Sequence, residues 1–172
     1  MEIGNGRRAR VAAPDAGALS MILDHTVHIR QLNIQQALDM RRTLELRTAS
    51  LTALRRSDAE ARELKEITER MLNALNAPDG VTELDILFHK GIARASGSPL
   101  CAMMVASFRV VTRQTGHIGR RSRANAENRA ENIRCHQRIG AAIMAQDPGR
   151  AEAAIAEHFD SATVVLLRAG VT

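Results

Sequence analysis

The chain has no tryptophan and no tyrosine, and aromatic residues make up only 2% of it. A core built from this chain must rest on Leu, Ile, Val, Met and Ala, a palette that suits helices better than strands. Cysteine is nearly as scarce. Cys101 and Cys135 stand far apart and in no motif, so they read as two reduced thiols at or near the core and give no basis for a disulfide framework. Long apolar runs are missing too. The longest, near Leu100–Ala106 and Ala162–Leu167, are too short to cross a bilayer. No apolar segment follows Met1, so no signal peptide is expected, and a cytoplasmic location is the expectation.

What is present fits one soluble globular domain: 172 residues, 45% of them hydrophobic and 25% charged. The formal net charge is +5, carried almost wholly by arginine. These arginines are interleaved with acids along predicted helices, which is the pattern of a solvated face rather than of a nucleic-acid footprint.

Residues 1–16 differ from the rest. Gly4–Val11 carries turn residues and a short basic stretch, as at the end of a hairpin, and Ala13-Pro14-Asp15 reads as a linker. From Leu19 onward the pattern is helical. A first helix is predicted over about 17–30 and a second from Ile34 to Arg56, with apolar positions at Ile34, Leu38, Leu44, Leu51 and Leu54. Ser57 with Glu60 forms a capping box for a third helix that reaches about Leu75. Pro78-Asp79-Gly80 is a predicted turn, and Thr82 a predicted N-cap for a fourth helix that ends near Ser96. Pro99 opens a fifth helix running to about Gly116, and 117–123 is predicted as a basic loop. A sixth helix covers about 124–146. Asp147-Pro148 then caps and opens the last, about 148–169. The expected fold is all-α, an antiparallel bundle of six to seven helices.

Polar residues that interrupt apolar stripes are the informative ones, because positions i, i+3, i+4 and i+7 share a helix face. Asp85, Phe88, His89 and Ile92 have that spacing. So do His136, Ile139, Gly140 and Ile143, with Asn132 one turn earlier. Ala151, Ala154, Ile155, His158, Ala162 and Val165 form a stripe with one histidine in it. Arg41 lies among Leu38, Leu44 and Thr48. Buried charges and polar groups are costly unless they are paired or bind a metal. Asp85 and His89, one turn apart, can reach one ion, with His136 and His158 arriving from two further helices. Three imidazoles and a carboxylate suit a borderline divalent cation, with room left for water or an anion that Arg41 grips through its guanidinium fork.

Plainer readings exist for each residue alone. Asp85 can complete a capping box with Thr82, a lone histidine in an apolar stripe is usually a satisfied core residue, and Arg41 can form a surface i, i+4 pair with Glu45. The case rests on their coincidence. His25, His28 and His117 read as exposed.

The segments Asp39-Met-Arg41-Arg-Thr-Leu-Glu45, Asp85-Ile-Leu-Phe88-His89 followed by Ile92-Ala-Arg-Ala-Ser-Gly97, His136-Gln-Arg-Ile139 with Ala142-Ile143, and Asp147 with Ala151 leading to His158 resemble the C-terminal effector domain of the FadR branch of GntR transcription regulators, the FCD domain. The likeness covers roughly residues 17–169. It implies a usually dimeric antiparallel helical bundle in which Asp85, His89, His136 and His158 bind a divalent metal (zinc, nickel or manganese) and a carboxylate metabolite completes the coordination. Arg41 maps onto the family's effector-binding arginine, and Asn132 is a weaker candidate for the same shell. Ser98 stands where the family often has Asn. Family members carry a winged helix-turn-helix ahead of this domain, which would supply DNA binding. Only Gly4–Val11 resembles the end of its wing, so a truncated chain or a mis-set start is expected, with residues 17–172 as the effector domain.

A helical metalloenzyme is the main rival. None of the three site histidines sits in Glu-x-x-His, and there is no His-Glu-x-x-His, so a general base beside a metal-bound water has no obvious source. A DNA-free dimerisation partner of full-length homologues would share the same fold and pocket.

Overall fold

The computed structural model describes residues 15–29, 31–123 and 125–171. The hairpin-like segment Gly4–Val11 and most of the linker lie outside them. Eight helices and no strand occur among the described residues: α1 Ala16–His28, α2 Ile34–Arg55, α3 Asp58–Asn73, α4 Pro78–Ala95, α5 Pro99–Ser107, α6 Arg109–Ser122, α7 Ala126–Met144 and α8 Pro148–Arg168.

Local chemistry sets most of these boundaries. Asn33 with Gln36, and Ser57 with Glu60, form reciprocal capping boxes at the starts of α2 and α3. The Asp147 carboxylate accepts from the Arg150 N–H at 2.9 Å, with Pro148 in the first turn of α8. Each such cap satisfies donors that the helix itself leaves unpaired.

Three boundaries differ from the sequence reading. Pro78 starts α4 rather than a turn over 78–80, so Thr82 lies inside the helix and not at its cap. A proline's fixed φ is suited to a first helical turn, and the helix accordingly begins one turn earlier. The fifth predicted helix is broken at Phe108, whose N–H bonds back to the Val105 carbonyl at 3.2 Å in a tightened turn. The break lets the Phe108 ring enter a small core with Ala37 and Val111, and no Gly or Pro marks it in the sequence. Finally, the predicted loop 117–123 is the last turn and a half of α6. Gly116 and Gly119 serve close approach there, not termination: a Cβ on Gly116 would stand 3.0 Å from Thr82 Cγ2 on α4.

α2 is the central helix. It lies along α8 and also meets α4, α5, α6 and α7, while α3 packs on α4 and α7. Short connections between packed neighbours such as α7 and α8 make them antiparallel. The main core gathers Leu64, Met71, Phe88, Ile92, Ile139, Ile143, Ile155 and Phe159, all buried. Each contributes about 1.5–3 kcal/mol by leaving water. The buried face of α2 is unlike the rest, being polar and small: Arg41, Glu45, Thr48, Ala49, Thr52 and Ala53. Leu54, counted in its apolar stripe, is exposed. No helix among the described residues is long and apolar enough to cross a membrane.

Candidate metal and effector site

The polar face of α2 meets α4, α7 and α8 at one point. α4 brings Asp85 and His89, α7 brings His136 and Asn132, and α8 brings His158. One ligand atom from each of Asp85, His89, His136 and His158 lies within 4.8 Å of the others. Donors about 2.0–2.2 Å from a common ion stand at most about 4.4 Å apart, so small side-chain rotations close this set. The three imidazoles surround the point edge-on or tilted to one another, with ring centroids of His136 and His158 4.5 Å apart and of His89 and His158 5.2 Å apart. The capping role for Asp85 is excluded, because the residue sits two turns inside α4.

The hydrogen bonds around the cluster assign its tautomers. His136 Nδ1 lies 2.8 Å from the Asn132 backbone carbonyl, which can only accept, so Nδ1 carries the proton. Its Nε2 then faces Asp85 Oδ1 at 2.8 Å. Two acceptors at that distance require a proton or a cation between them. His89 Nδ1 is bound to Glu45 Oε2, and its Nε2, 3.8 Å from Asp85 Oδ1, has no hydrogen-bond partner. His158 Nδ1 is likewise buried without a partner. Outer nitrogens tied to a carbonyl or carboxylate, with inner nitrogens left for a ligand, is the arrangement found around metal-bound histidines. The donor set of three imidazole nitrogens and one carboxylate oxygen fits a borderline divalent cation.

Glu45 was not among the site residues expected from sequence. It is buried, and both its oxygens are used, Oε1 by Arg41 Nε at 2.6 Å and Oε2 by His89. The Arg41–Glu45 pair expected at the surface is thus buried, with side chains 5% and 1% exposed. Its signal was present in the helical spacing to Arg41 and Thr48, but a charged residue does not register when apolar stripes are sought.

Burial by itself would raise the Glu45 carboxyl pKa, but the nearby charges of Arg41 and His89 outweigh it and hold the group ionised. Asp85 follows the same balance. Desolvation opposes ionisation, and His89, the hydrogen bond to His136 and the Arg41 charge together hold its carboxyl far below the usual range. For His158, burial is the largest influence and pushes the imidazole well below its ordinary value, reinforced by His136 and His89. A neutral imidazole beside an ionised carboxylate is the protonation pattern a cation needs.

The cluster opens onto a cavity of about 80 Å³ walled by α2, α4, α6, α7 and α8. Arg41, Asp85, Asn132 and His158 line it, as do Thr82 and Arg123, which the sequence reading had placed at a cap and in a loop. Arg41 uses only its Nε on Glu45, and its guanidinium carbon lies 5.2 Å from the centre of the Phe159 ring. The Asn132 side-chain oxygen accepts from Arg123 at 2.9 Å. His25, His28 and His117 take no part and are exposed, His117 on α6. Cys135 is buried and Cys101 half-buried, both unbridged.

Comparison with known proteins agrees with this architecture. The family model of the FCD domain matches residues 36–161. The HTH-type transcriptional regulator LutR of Bacillus subtilis (strain 168) is 26% identical over 171 residues, spanning 96% of this chain and 77% of LutR. Two solved structures share the fold at 22% identity. E. coli McbR/YncC superposes with a TM-score of 0.68 over 78% of this chain, and Streptococcus agalactiae GntR with 0.63 over 74%. The chain spans 65% and 56% of the lengths of those two proteins. With the family model matching residues 36–161, the chain belongs to the FCD domain family of GntR-type regulators.

Proposed function

We propose that this chain is the effector-sensing domain of a GntR-type transcription regulator of the FadR branch. In this reading Asp85, His89, His136 and His158 hold one divalent cation, with zinc, nickel or manganese the best match to the donors. A small carboxylate completes its coordination, gripped by Arg41 with Asn132 alongside. The observation that carries the reading is the hydrogen-bond pattern: the outer nitrogens of His89 and His136 are tied, and the inner ones converge on an ionised Asp85. When bound, the cation supplies a Lewis-acidic anchor for the anion; the chain's own residues orient it and exclude water. In this reading residues 17–172 constitute the sensing domain.

Sensing rather than catalysis is favoured because Glu45, the carboxylate bonded to His89, has both oxygens occupied and is poorly placed to act as a general base. Regulation would proceed by population shift in a cytoplasmic homodimer. The effector must favour one arrangement of the two copies, and that preference reaches DNA only where a full-length protein supplies winged helix-turn-helix modules.

Elemental analysis of purified protein should find about one divalent ion per chain, as a single site requires. Full metal content in a His136→Ala, His158→Ala double variant would overturn the site. A thermal-shift screen of small carboxylates should show stabilisation that chelator abolishes. Turnover of the best hit, instead of simple binding, would transfer the protein to the enzymes.

A further inference from the structure

Arg42, Arg56, Arg94, Arg113, Arg134 and Arg138 each face a carboxylate. Arg123 does not. At the end of α6 it turns into the cavity, half-buried, and its sole hydrogen-bond acceptor is the neutral side-chain oxygen of Asn132 at 2.9 Å. It forms no ion pair among the described residues. The sequence leaves room for it: a Cβ on Gly119 would stand 3.0 Å from Arg123 Nη1.

A second, independent observation lies on the facing helix. Thr82, 5% exposed, lines the same cavity, and its Oγ1 is buried with no hydrogen-bond partner. The hydroxyls of Thr112 and Thr115, by contrast, donate to carbonyls of their own helix. A buried hydroxyl without a partner is costly, and one that lines a cavity beside a guanidinium with no ion pair among the described residues marks a place for an acceptor.

Charge bookkeeping gives the ligand class. Arg41 and Glu45 cancel, and imidazoles that ligate a cation do so in their neutral form. A divalent cation with Asp85 leaves one positive charge, and Arg123 adds a second; Arg120 lines the same cavity but is engaged by a contact of its own. A monocarboxylate neutralises only one of the two.

We propose that Arg123 and Thr82 form a second anion subsite, so that the cavity selects a short dicarboxylate, one carboxylate toward the Asp85–His cluster and the other held by the Arg123 guanidinium and the Thr82 hydroxyl. This rests on the carboxylate-sensing reading above. Arg123 exchanges Asn132 for the ligand, and a charged, two-pronged hydrogen bond replaces a neutral one. The cavity volume restricts the ligand to a few carbons between the two groups.

Calorimetric titration of the zinc-loaded protein with succinate and with butyrate isolates the second carboxylate, since the two acids share a four-carbon chain. Succinate should bind at least about tenfold more tightly, the scale of one charge-assisted contact. Arg123→Gln should erase that preference while leaving butyrate affinity and zinc content unchanged. Thr82→Val, which keeps the side-chain shape, should reduce the preference severalfold and serves as the independent variant if Arg123→Gln disturbs the end of α6. Equal binding of the two acids by the unaltered protein, or a succinate preference that survives both substitutions, overturns the subsite and leaves the carboxylate sensor standing. If neither acid binds, with or without zinc, both readings fall.

Discussion

Glu45 carries more of the site than its anonymity in the sequence suggests. It orients His89 through Nδ1 and neutralises Arg41, so it acts on two functional groups at once. Glu45→Gln preserves shape but removes the charge that makes His89 a strong donor. Metal affinity should fall by about 10–100-fold, the usual effect of losing such a supporting carboxylate, with helicity unchanged; competition with a chromogenic chelator measures it. Glu45→Ala is harsher, since it strands Arg41 as a buried unpaired charge, and should cost about 3–5 kcal/mol in denaturant unfolding. His158 gives a pH signature. Its folded pKa is lowered by burial, so below about 6.5 the unfolded chain takes up a proton that the folded one refuses. The chelated protein should therefore lose stability as pH falls through that value and show no such loss above it. A midpoint of unfolding that rose on acidification would contradict a buried neutral His158.

At the scale of the helix, glycines test whether α6 and α4 are held at close range. Gly116→Ala places a Cβ 3.0 Å from Thr82 Cγ2 and 3.2 Å from its Oγ1, against the wall of the cavity. It should destabilise by about 1–3 kcal/mol, as overpacking does. Gly140, inside α7, has nothing within 4 Å of its missing Cβ. Gly140→Ala should instead stabilise by about 0.5–1 kcal/mol through helix propensity. Opposite signs for two Gly→Ala changes, read by thermal denaturation, would separate close approach from simple backbone freedom. Helix ends were largely legible from local chemistry. The capping boxes at Ser57 and the Asp147-Pro148 start are contained within a few residues, so they survive without tertiary information. The break at Phe108 and the extension of α6 through 117–122 were not legible. One depends on where an aromatic ring finds a pocket, and the other on Gly116 facing a neighbouring helix and Gly119 making room for the Arg123 side chain, features that local sequence signals as a continuous helix and a loop.

Across the whole molecule, the site is where α2, α4, α7 and α8 meet, so ligand binding and fold stability are linked. Saturating the chelated protein with zinc to a hundred times its dissociation constant should add about 2.7 kcal/mol, a rise in Tm of roughly 5–10 °C for a chain of this size. A Tm indifferent to zinc and chelator would detach the cluster from any metal. Phe88→Ala tests the apolar support behind it. The ring is fully buried and sits edge-on to both His89 and His136, 5.8 Å and 5.3 Å from their centroids. Its loss should cost about 3–5 kcal/mol and loosen metal binding as well.

Composition and periodicity were enough to decide an all-α domain and to mark Asp85, His89, His136, His158 and Arg41 as polar residues on inward faces. These are properties of single helices, set by 3.6-residue spacing and by capping within a turn. Whether those faces meet is not a local property, because it depends on how α2, α4, α7 and α8 pack. Packing alone decided that Asp85 and the three histidines share one point, that the Arg41–Glu45 pair lies inside and reaches His89, and that Arg123 and Thr82 line the same cavity.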